Sequence, residues 1–259
     1  VSKATSPLKT NFTADDQVEL NPVFVKVYQD DRRGGIRSDD QEVIIGGFNP
    51  GALPERRYST LSEGIKRAID IAGALCAILL FSPFLILSAL AVKLTSKGPL
   101  LFSQERVGQG GRIFKMYKFR TMVTNAEELK DSLMSKNESS GPVFKMTHDP
   151  RITKVGRVLR KFSFDELPQL FQVLSGDMSL VGPRPPIPKE VKKYKQWQTE
   201  RLAVKPGITC IWQVSGRNQI GFEDWVRLDI KYIRNRTLFL DFLILAKTVK
   251  VVFISPDGK

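Results

Sequence analysis

Twenty-two consecutive residues without a charge, Ile71–Val92, constrain this chain more than any other feature. At the helical rise of about 1.5 Å per residue they reach about 33 Å, enough for a hydrocarbon core of roughly 30 Å. The segment is internal and too long for the apolar part of a signal peptide. Two features argue against a plain transmembrane helix. Ser82-Pro83 falls at the centre, where proline removes a backbone hydrogen bond and clashes with the preceding turn. Both flanks are basic, with Lys66 and Arg67 before the segment and Lys93 and Lys97 after it. Basic flanks stay in the cytoplasm, and here both would. A helix that enters, breaks at Ser82-Pro83 and leaves on the same face satisfies both observations. A kinked crossing remains compatible, because serine hydroxyls or neighbouring helices can satisfy the freed carbonyl.

The rest of the composition narrows the chemistry. The 259 residues are enough for one good-sized domain with appendages. A formal net charge of +13 and a pI near 9.8 call for an anionic partner: nucleic acid, anionic lipid or a phosphate-rich substrate. Cys76 lies inside the apolar segment and Cys210 is far from it, so a disulfide is implausible and a reducing compartment is expected. His148 is the single histidine, which leaves no basis for a His-based metal site or for chemistry that needs two imidazoles.

Residues 1–60 are polar and weakly patterned, with strand-like patches at Val23–Tyr28 and Glu42–Ile45, and read as a loosely ordered extension. Pro99–Phe119 has the pattern of a hairpin around Gly108-Gln109-Gly110-Gly111. Thr124–Lys136 is a helix candidate and Asn137–Pro142 a polar loop. Residues 149–217 carry 13 Lys/Arg against 6 Asp/Glu, which makes them the strongest local candidate for anion binding. Leu238–Ile254 is apolar, with Asp241, Lys247 and Lys250 spaced along one side. This suits either an amphipathic helix at a membrane surface or ordinary core packing.

The central chemical candidate is Asp165-Glu166 in RKFSFDELPQLFQVL. Ser163 followed three residues later by Glu166 is a capping-box pattern, so Glu166 has a structural reading as a helix cap. Pro168 leaves the register open, since it falls in a tolerant first turn only if Asp165 or Glu166 is the cap. A carboxylate at a helix N-terminus should stay ionised, and phosphate is attracted to the same place. Arg157, Arg160 and Lys161 lie just upstream and would draw a phosphoanion in. An ionised Asp can attack phosphorus, and a neighbouring Glu can hold Mg²⁺, which takes few carboxylates plus substrate oxygens. A second candidate is Gly182-Pro183-Arg184-Pro185-Pro186, a stiff turn presenting Arg184 to phosphate. A third is Lys205–Thr209 followed by Trp212 and Arg217, where Trp212 either stacks on a base or is simply buried, and Arg217 is placed for phosphate.

With these segments in view, the chain resembles the monotopic phosphoglycosyl transferases, the bacterial sugar transferases that start exopolysaccharide and O-antigen repeat units. The resemblance runs from about Ser62 to Ser255. It rests on KRAID, the apolar segment broken at Ser82-Pro83, FSQERVGQGGRIFKMYKFRTM, DPRITKVGRVLRKFSFDELPQLFQVLSGDMSLVGPRP and KPGITCIWQVSGRN. It implies a mostly α fold with a small β-hairpin, lying on the cytoplasmic face of the inner membrane. Residues 61–98 would form a re-entrant helix-break-helix at Ser82 and Pro83. Residues 99–255 would form the catalytic domain, ending in an interfacial amphipathic helix at about 238–254.

The resemblance further implies that Asp165 attacks the β-phosphate of a UDP-sugar, releases UMP and holds the sugar phosphate until polyprenyl phosphate takes it. It implies that Glu166, with Asp165, serves the Mg²⁺ site, and that Arg160 and Arg184 bind phosphate. Glucose 1-phosphate or galactose 1-phosphate is the expected cargo. Larger relatives carry membrane helices and a soluble domain before the catalytic part, so the 60 polar residues here suggest a short or trimmed form. The expected partners are the UDP-sugar, polyprenyl phosphate and membrane lipids, with no nucleic acid, and self-association is common among such enzymes. The competing readings are a membrane-tethered nucleic-acid binder, motivated by the charge, and a scaffold for polysaccharide assembly. Pro-Gly interruptions, the acidic pair and the lack of a recognisable module weigh against the first.

Overall fold

The computed structural model describes residues 60–138, 143–144, 146–215 and 221–253. The patches Val23–Tyr28 and Glu42–Ile45, most of the loop Asn137–Pro142, and Arg217 lie outside these residues. Thr60–Thr95 form one 36-residue helix, α1, about 54 Å long at the helical rise. Helical structure continues through Ser82-Pro83, where a break was expected. The reason is local: Pro83 has no N–H for the Leu79 carbonyl one turn earlier, and the Ser82 hydroxyl donates to that carbonyl instead, at 2.8 Å. One stripe of α1 (Lys66, Asp70, Ala74, Ser88, Val92) is buried, while Leu79, Leu80 and Leu94 are more than 70 % exposed. The outward face is therefore as apolar as the inward one, the pattern of a helix that meets lipid.

Strands β1 (Leu101–Val107) and β2 (Ile113–Phe119) pair antiparallel, with Leu101 opposite Phe119 and Val107 opposite Ile113. This is the expected hairpin. Next come α2 (Ala126–Ser132), within the expected helix, and α3 (Lys154–Lys161). Thr153 caps α3 by accepting from the Gly156 N–H at 2.9 Å. A 3₁₀ turn, Phe164–Glu166, leads into α4 (Gln169–Ser175), which Gly176 ends in the left-handed region. Strands β3 (Ser179–Val181) and β4 (Gly207–Thr209) pair parallel. Between them lie α5 (Pro188–Val191) and the 3₁₀ segment Gln196–Ala203. Helices α6 (Ile211–Ser215), α7 (Phe222–Asn235) and α8 (Leu238–Phe253) complete the described chain. The protein is mostly helical with a small β component.

The main core joins Ala74 of α1, Phe114 and Met116 of β2, Val173 of α4, Val181 of β3, Tyr232 of α7 and Ile244 of α8. A second cluster packs Val191, Leu202, Trp212, Trp225 and Val226. Trp212 is buried and stacks on Trp225 at 4.7 Å, so the packing role is the one realised. A buried ionic group ties the first core to α1. Lys66 Nζ lies 2.7 Å from Asp70 and 2.9 Å from Asp241, and the Tyr232 hydroxyl donates to Asp241 at 2.7 Å. Asp241 is thus turned inward while Lys247 and Lys250 are exposed. These three charges do not share one face of α8, because nine residues at about 100° each put Asp241 and Lys250 on opposite sides. The exposed face of α8 instead carries Phe239 and Phe242.

Candidate active site

Asp165 and Glu166 sit in the 3₁₀ turn between α3 and α4, under the open end of the hairpin. The turn is entered through Ser163 at φ 57°, which among the described residues is the one non-glycine in the left-handed region, a conformation that costs about 1–2 kcal/mol. The capping box does not form. The Ser163 side chain makes no cap bond, its backbone carbonyl accepts the Glu166 N–H at 3.1 Å, and the Glu166 carboxylate is engaged elsewhere. Lys118 Nζ reaches Glu166 Oε1 at 2.5 Å. Phe164 packs on Phe84 at 4.9 Å between ring centres, so the residue beside Asp165 leans on the residue beside Pro83.

Arg160 comes from the last turn of α3, its Nε donating to Thr121 Oγ1 at 2.9 Å. Arg184 comes from the turn after β3, and its position is tightly specified. Prolines 183, 185 and 186 have no N–H, so their backbone can be anchored only through carbonyls, and the carbonyls of residues 183–186 hold the turn. All four are taken: Pro183 O by Gly207 N at 3.0 Å, Arg184 O by Arg201 at 3.0 Å, Pro185 O by Arg106 at 2.9 Å, and Pro186 O by Val107 N at 2.8 Å. Gly182 and Gly207 allow this, since a Cβ on Gly207 would lie 2.0 Å from Gly182 N. Arg201 in turn is fully buried and lies 2.7 Å from Asp229. The Arg184 guanidinium rests 5.8 Å from the centre of the Trp225 ring.

The electrostatics separate the two carboxylates. Burial pushes Asp165 above its ordinary value, with Glu166 adding to the rise and Lys118 and Arg160 opposing it. Burial would also raise Glu166, but Lys118, by charge and by hydrogen bond, together with Arg184 and Arg106, holds it below the usual carboxylate range. The expected protection of Asp165 by a helix terminus is not realised, because α4 begins only at Gln169 and burial dominates. Burial, with Arg184 alongside, lowers Arg106 to about 10, and burial likewise lowers Arg160. Four cations (Lys118, Arg106, Arg160, Arg184) thus act on these two carboxylates, and Glu190 beside Arg106 reduces the positive surplus without cancelling it. A positive surplus held partly out of water is costly unless an anion fills it.

The structure brings together Asp165, Glu166, Arg160 and Arg184. Arg157 and Lys161 stay exposed on α3, with Lys161 Nζ 5.6 Å above the Phe162 ring. Lys118 and Arg106 are the residues that sequence reasoning missed. The signal was present in the alternation of β2: Lys118 falls on the same face as buried Phe114 and Met116, and Arg106 pairs directly across from Phe114. A cation on the apolar face of a strand needs a buried anion.

Among the described residues no group of three or more His, Cys, Asp or Glu could hold a metal ion. The donor set at the site is the adjacent pair Asp165 and Glu166. Two carboxylates suit Mg²⁺ when substrate oxygens complete its shell, and do not suit a structural zinc.

Comparison with known proteins identifies the family. The profile of the family described as "Bacterial sugar transferase" matches residues 61–255. The chain is 47% identical over 204 residues to the galactosyl transferase CpsE of Streptococcus agalactiae, covering 78% of this chain and 45% of that protein. It is 44% identical over 202 residues to the undecaprenyl-phosphate galactose phosphotransferase of Salmonella typhimurium, covering 76% and 42%. It therefore spans less than half the length of these two relatives. With the exopolysaccharide production protein ExoY of Rhizobium meliloti, 40% identical, it shares 80% of its own length and 94% of the relative's. The turn that carries Asp165 and Glu166, the arginine-bearing proline turn and the apolar helix all lie within the matched region, and the chain belongs to the bacterial sugar transferase family.

Proposed function

We propose that this chain transfers a sugar 1-phosphate from a UDP-sugar to polyprenyl phosphate, the first membrane step of an exopolysaccharide or other surface polysaccharide. The phosphosugar would be held in between on Asp165. The observation that carries the reading is the cationic surplus around two unlike carboxylates in one buried turn. Relatives named for galactose transfer favour UDP-galactose over UDP-glucose as the donor.

In the first half-reaction an Asp165 carboxylate oxygen bonds to the β-phosphorus, and the bond from that phosphorus to the bridging oxygen breaks. UMP leaves with the electron pair and an acyl-phosphate remains. In the second, a phosphate oxygen of polyprenyl phosphate attacks the same phosphorus and the bond to Asp165 breaks, returning the carboxylate. Arg160 and Arg184 hold phosphate oxygens by charge-assisted hydrogen bonds. Lys118 keeps Glu166 ionised and lowers the cost of ionising Asp165. Glu166, with Asp165 adjacent, would hold Mg²⁺, which supplies charge neutralisation for the diphosphate.

The monotopic seat is supported by the way α1 lies against the body. Arg67 bonds the Val173 and Leu174 carbonyls, Phe84 packs on Phe164, and Val92 is buried with Phe119 and Leu159. Contact thus extends from Arg67 to Val92, about 38 Å of helix. A full crossing by α1 would drag the charged site through hydrocarbon, at several kcal/mol per charge. A helix that dips into one leaflet, bending at Pro83, avoids this. The exposed Phe239 and Phe242 of α8 would add a second apolar contact with the same leaflet.

UMP release, measured across UDP-galactose, UDP-glucose and the N-acetylated UDP-sugars with Mg²⁺ and polyprenyl phosphate, tests the reading. Release with one of these donors and none from Asp165→Asn is expected. No release from any of them would refute the proposed reaction.

A further inference from the structure

At the other end of α4 from Asp165 lies a second polar basin, with a volume of about 610 Å³. Three distant parts of the chain bring cations to it: Arg67 from α1, Arg112 from the hairpin turn and Lys205 from the residues before β4. The one carboxylate in its lining is Asp177. Arg112 engages Asp177 Oδ1, and the Ser175 hydroxyl donates to Asp177 Oδ2 at 2.8 Å. Arg67 closes α4 by donating to Val173 O at 2.5 Å and Leu174 O at 2.8 Å. Lys205 is half-buried, with no ion-pair or hydrogen-bond partner of its own among the described residues. Burial, then repulsion from Arg67 and Arg112, lowers the pKa of its amine. Nothing in the chemistry at Asp165 uses these three cations.

Two further observations identify the ligand. Arg67 precedes Ile71 by one helical turn, which sets the basin at the depth where the apolar segment begins. An apolar groove of about 670 Å³, walled by Leu85, Leu101, Tyr117, Phe119 and Phe171, opens beside the basin and shares Ser175 and Asp177 with it. A cationic seat continuous with an apolar trough fits an amphiphile with a phosphate head. We propose that this basin and groove bind an anionic bilayer phospholipid, its phosphate between Arg67, Arg112 and Lys205 and an acyl chain in the groove. The surplus of two positive charges in the lining favours an anionic over a zwitterionic head. The seven residues of α4 put the basin about 10 Å from the Asp165 turn, so the phosphate bound here is not the one that reacts. The proposal rests on the membrane seat argued above and is independent of the chemistry at Asp165.

The test uses the full chain equilibrated with phosphatidylcholine vesicles containing phosphatidylglycerol, then examined by native mass spectrometry for retained lipid. One phosphatidylglycerol should stay bound. Retention should fall about tenfold in R112Q/K205Q, as expected for loss of charge-assisted phosphate contacts. It should be unchanged in K130Q/K136Q, which removes the same charge from α2 and the turn after it. Equal retention in all three proteins would overturn the proposal. So would displacement by inorganic phosphate alone, which marks a soluble-anion site, or one-for-one displacement by polyprenyl phosphate, which makes the carrier the occupant. UMP release from the donor, read on the same samples, reports separately on Asp165, so loss of the lipid site and failure of the transferase reading give different results.

Discussion

Replacing Lys118 by Met removes the cation nearest the Asp165–Glu166 pair while keeping the length of the side chain. The bond lost is short, 2.5 Å, between side chains that are 20% and 26% exposed. A hydrogen bond to a charged partner contributes about 1.5–3 kcal/mol, and partial exposure places this one near 2 kcal/mol. If that organisation is needed when phosphorus is attacked, the chemical step slows by roughly 30-fold. The pH dependence carries the sharper signature. In the proposed reaction Asp165 must be ionised to attack; burial already raises it, and Lys118 is the largest force in the opposite direction. Without Lys118 the carboxyl rises further, so a larger share is protonated at any given pH. The acidic limb of the rate therefore moves to higher pH, and the defect is deeper near pH 6 than near pH 8. Rapid-quench measurement of the first UMP burst from about pH 5 to about pH 8.5 reads this directly. Lys118→Arg should keep the limb close to the parent's. A Lys118→Met protein with an unshifted limb and a parental burst would refute the electrostatic argument.

Other perturbations test the supports of the site. A Cβ on Gly156 would lie 2.0 Å from the Thr121 carbonyl oxygen. Gly156→Ala should therefore push α3 outward, cost about 2 kcal/mol and weaken the Arg160–Thr121 bond, lowering both Tm and UMP release. Arg201→Met strands buried Asp229 and frees the Arg184 carbonyl, so denaturant melts should show a loss of about 3–5 kcal/mol. Arg234→Ala breaks the pair that the exposed Arg234 side chain makes with Glu200, and in the same melts it should cost about 1 kcal/mol or less. Leu61 and Leu94 are exposed near the two ends of α1. In a Cys76→Ala background, cysteines at both positions should react with an impermeant thiol reagent from the same face of sealed vesicles. Reaction from opposite faces would refute the monotopic seat.

The hairpin, the long apolar helix and the proline turn were legible because their signals are local: glycine at the turn, uninterrupted apolarity, and prolines that fix their own backbone. The continuity of α1 was not legible. Proline argued for a break, and only the position of the Ser82 hydroxyl under the Leu79 carbonyl shows how the turn survives. The orientation of Asp241 was hidden for a related reason. Its cationic partner Lys66 is far away in sequence and Tyr232 comes from the preceding helix, and local pattern cannot say that a charge will be met by a buried cation. At the site, Asp165 and Glu166 stood out as a pair, with Asp165 read as the nucleophile and Glu166 as the metal ligand, but the division of their electrostatics did not. That division depends on Lys118 reaching Glu166 rather than Asp165, which is decided by the register of the hairpin against the 3₁₀ turn.

The central claim is that Asp165 carries the phosphosugar. Intact-mass measurement of the protein after brief incubation with UDP-galactose and Mg²⁺, without polyprenyl phosphate, tests it most directly. The expected result is one added hexose phosphate per chain, equimolar UMP, and discharge of the adduct when polyprenyl phosphate is supplied. Asp165→Asn should show neither adduct nor UMP. An adduct of the same mass on Asp165→Asn, or turnover by that variant at the parental rate, would contradict the account.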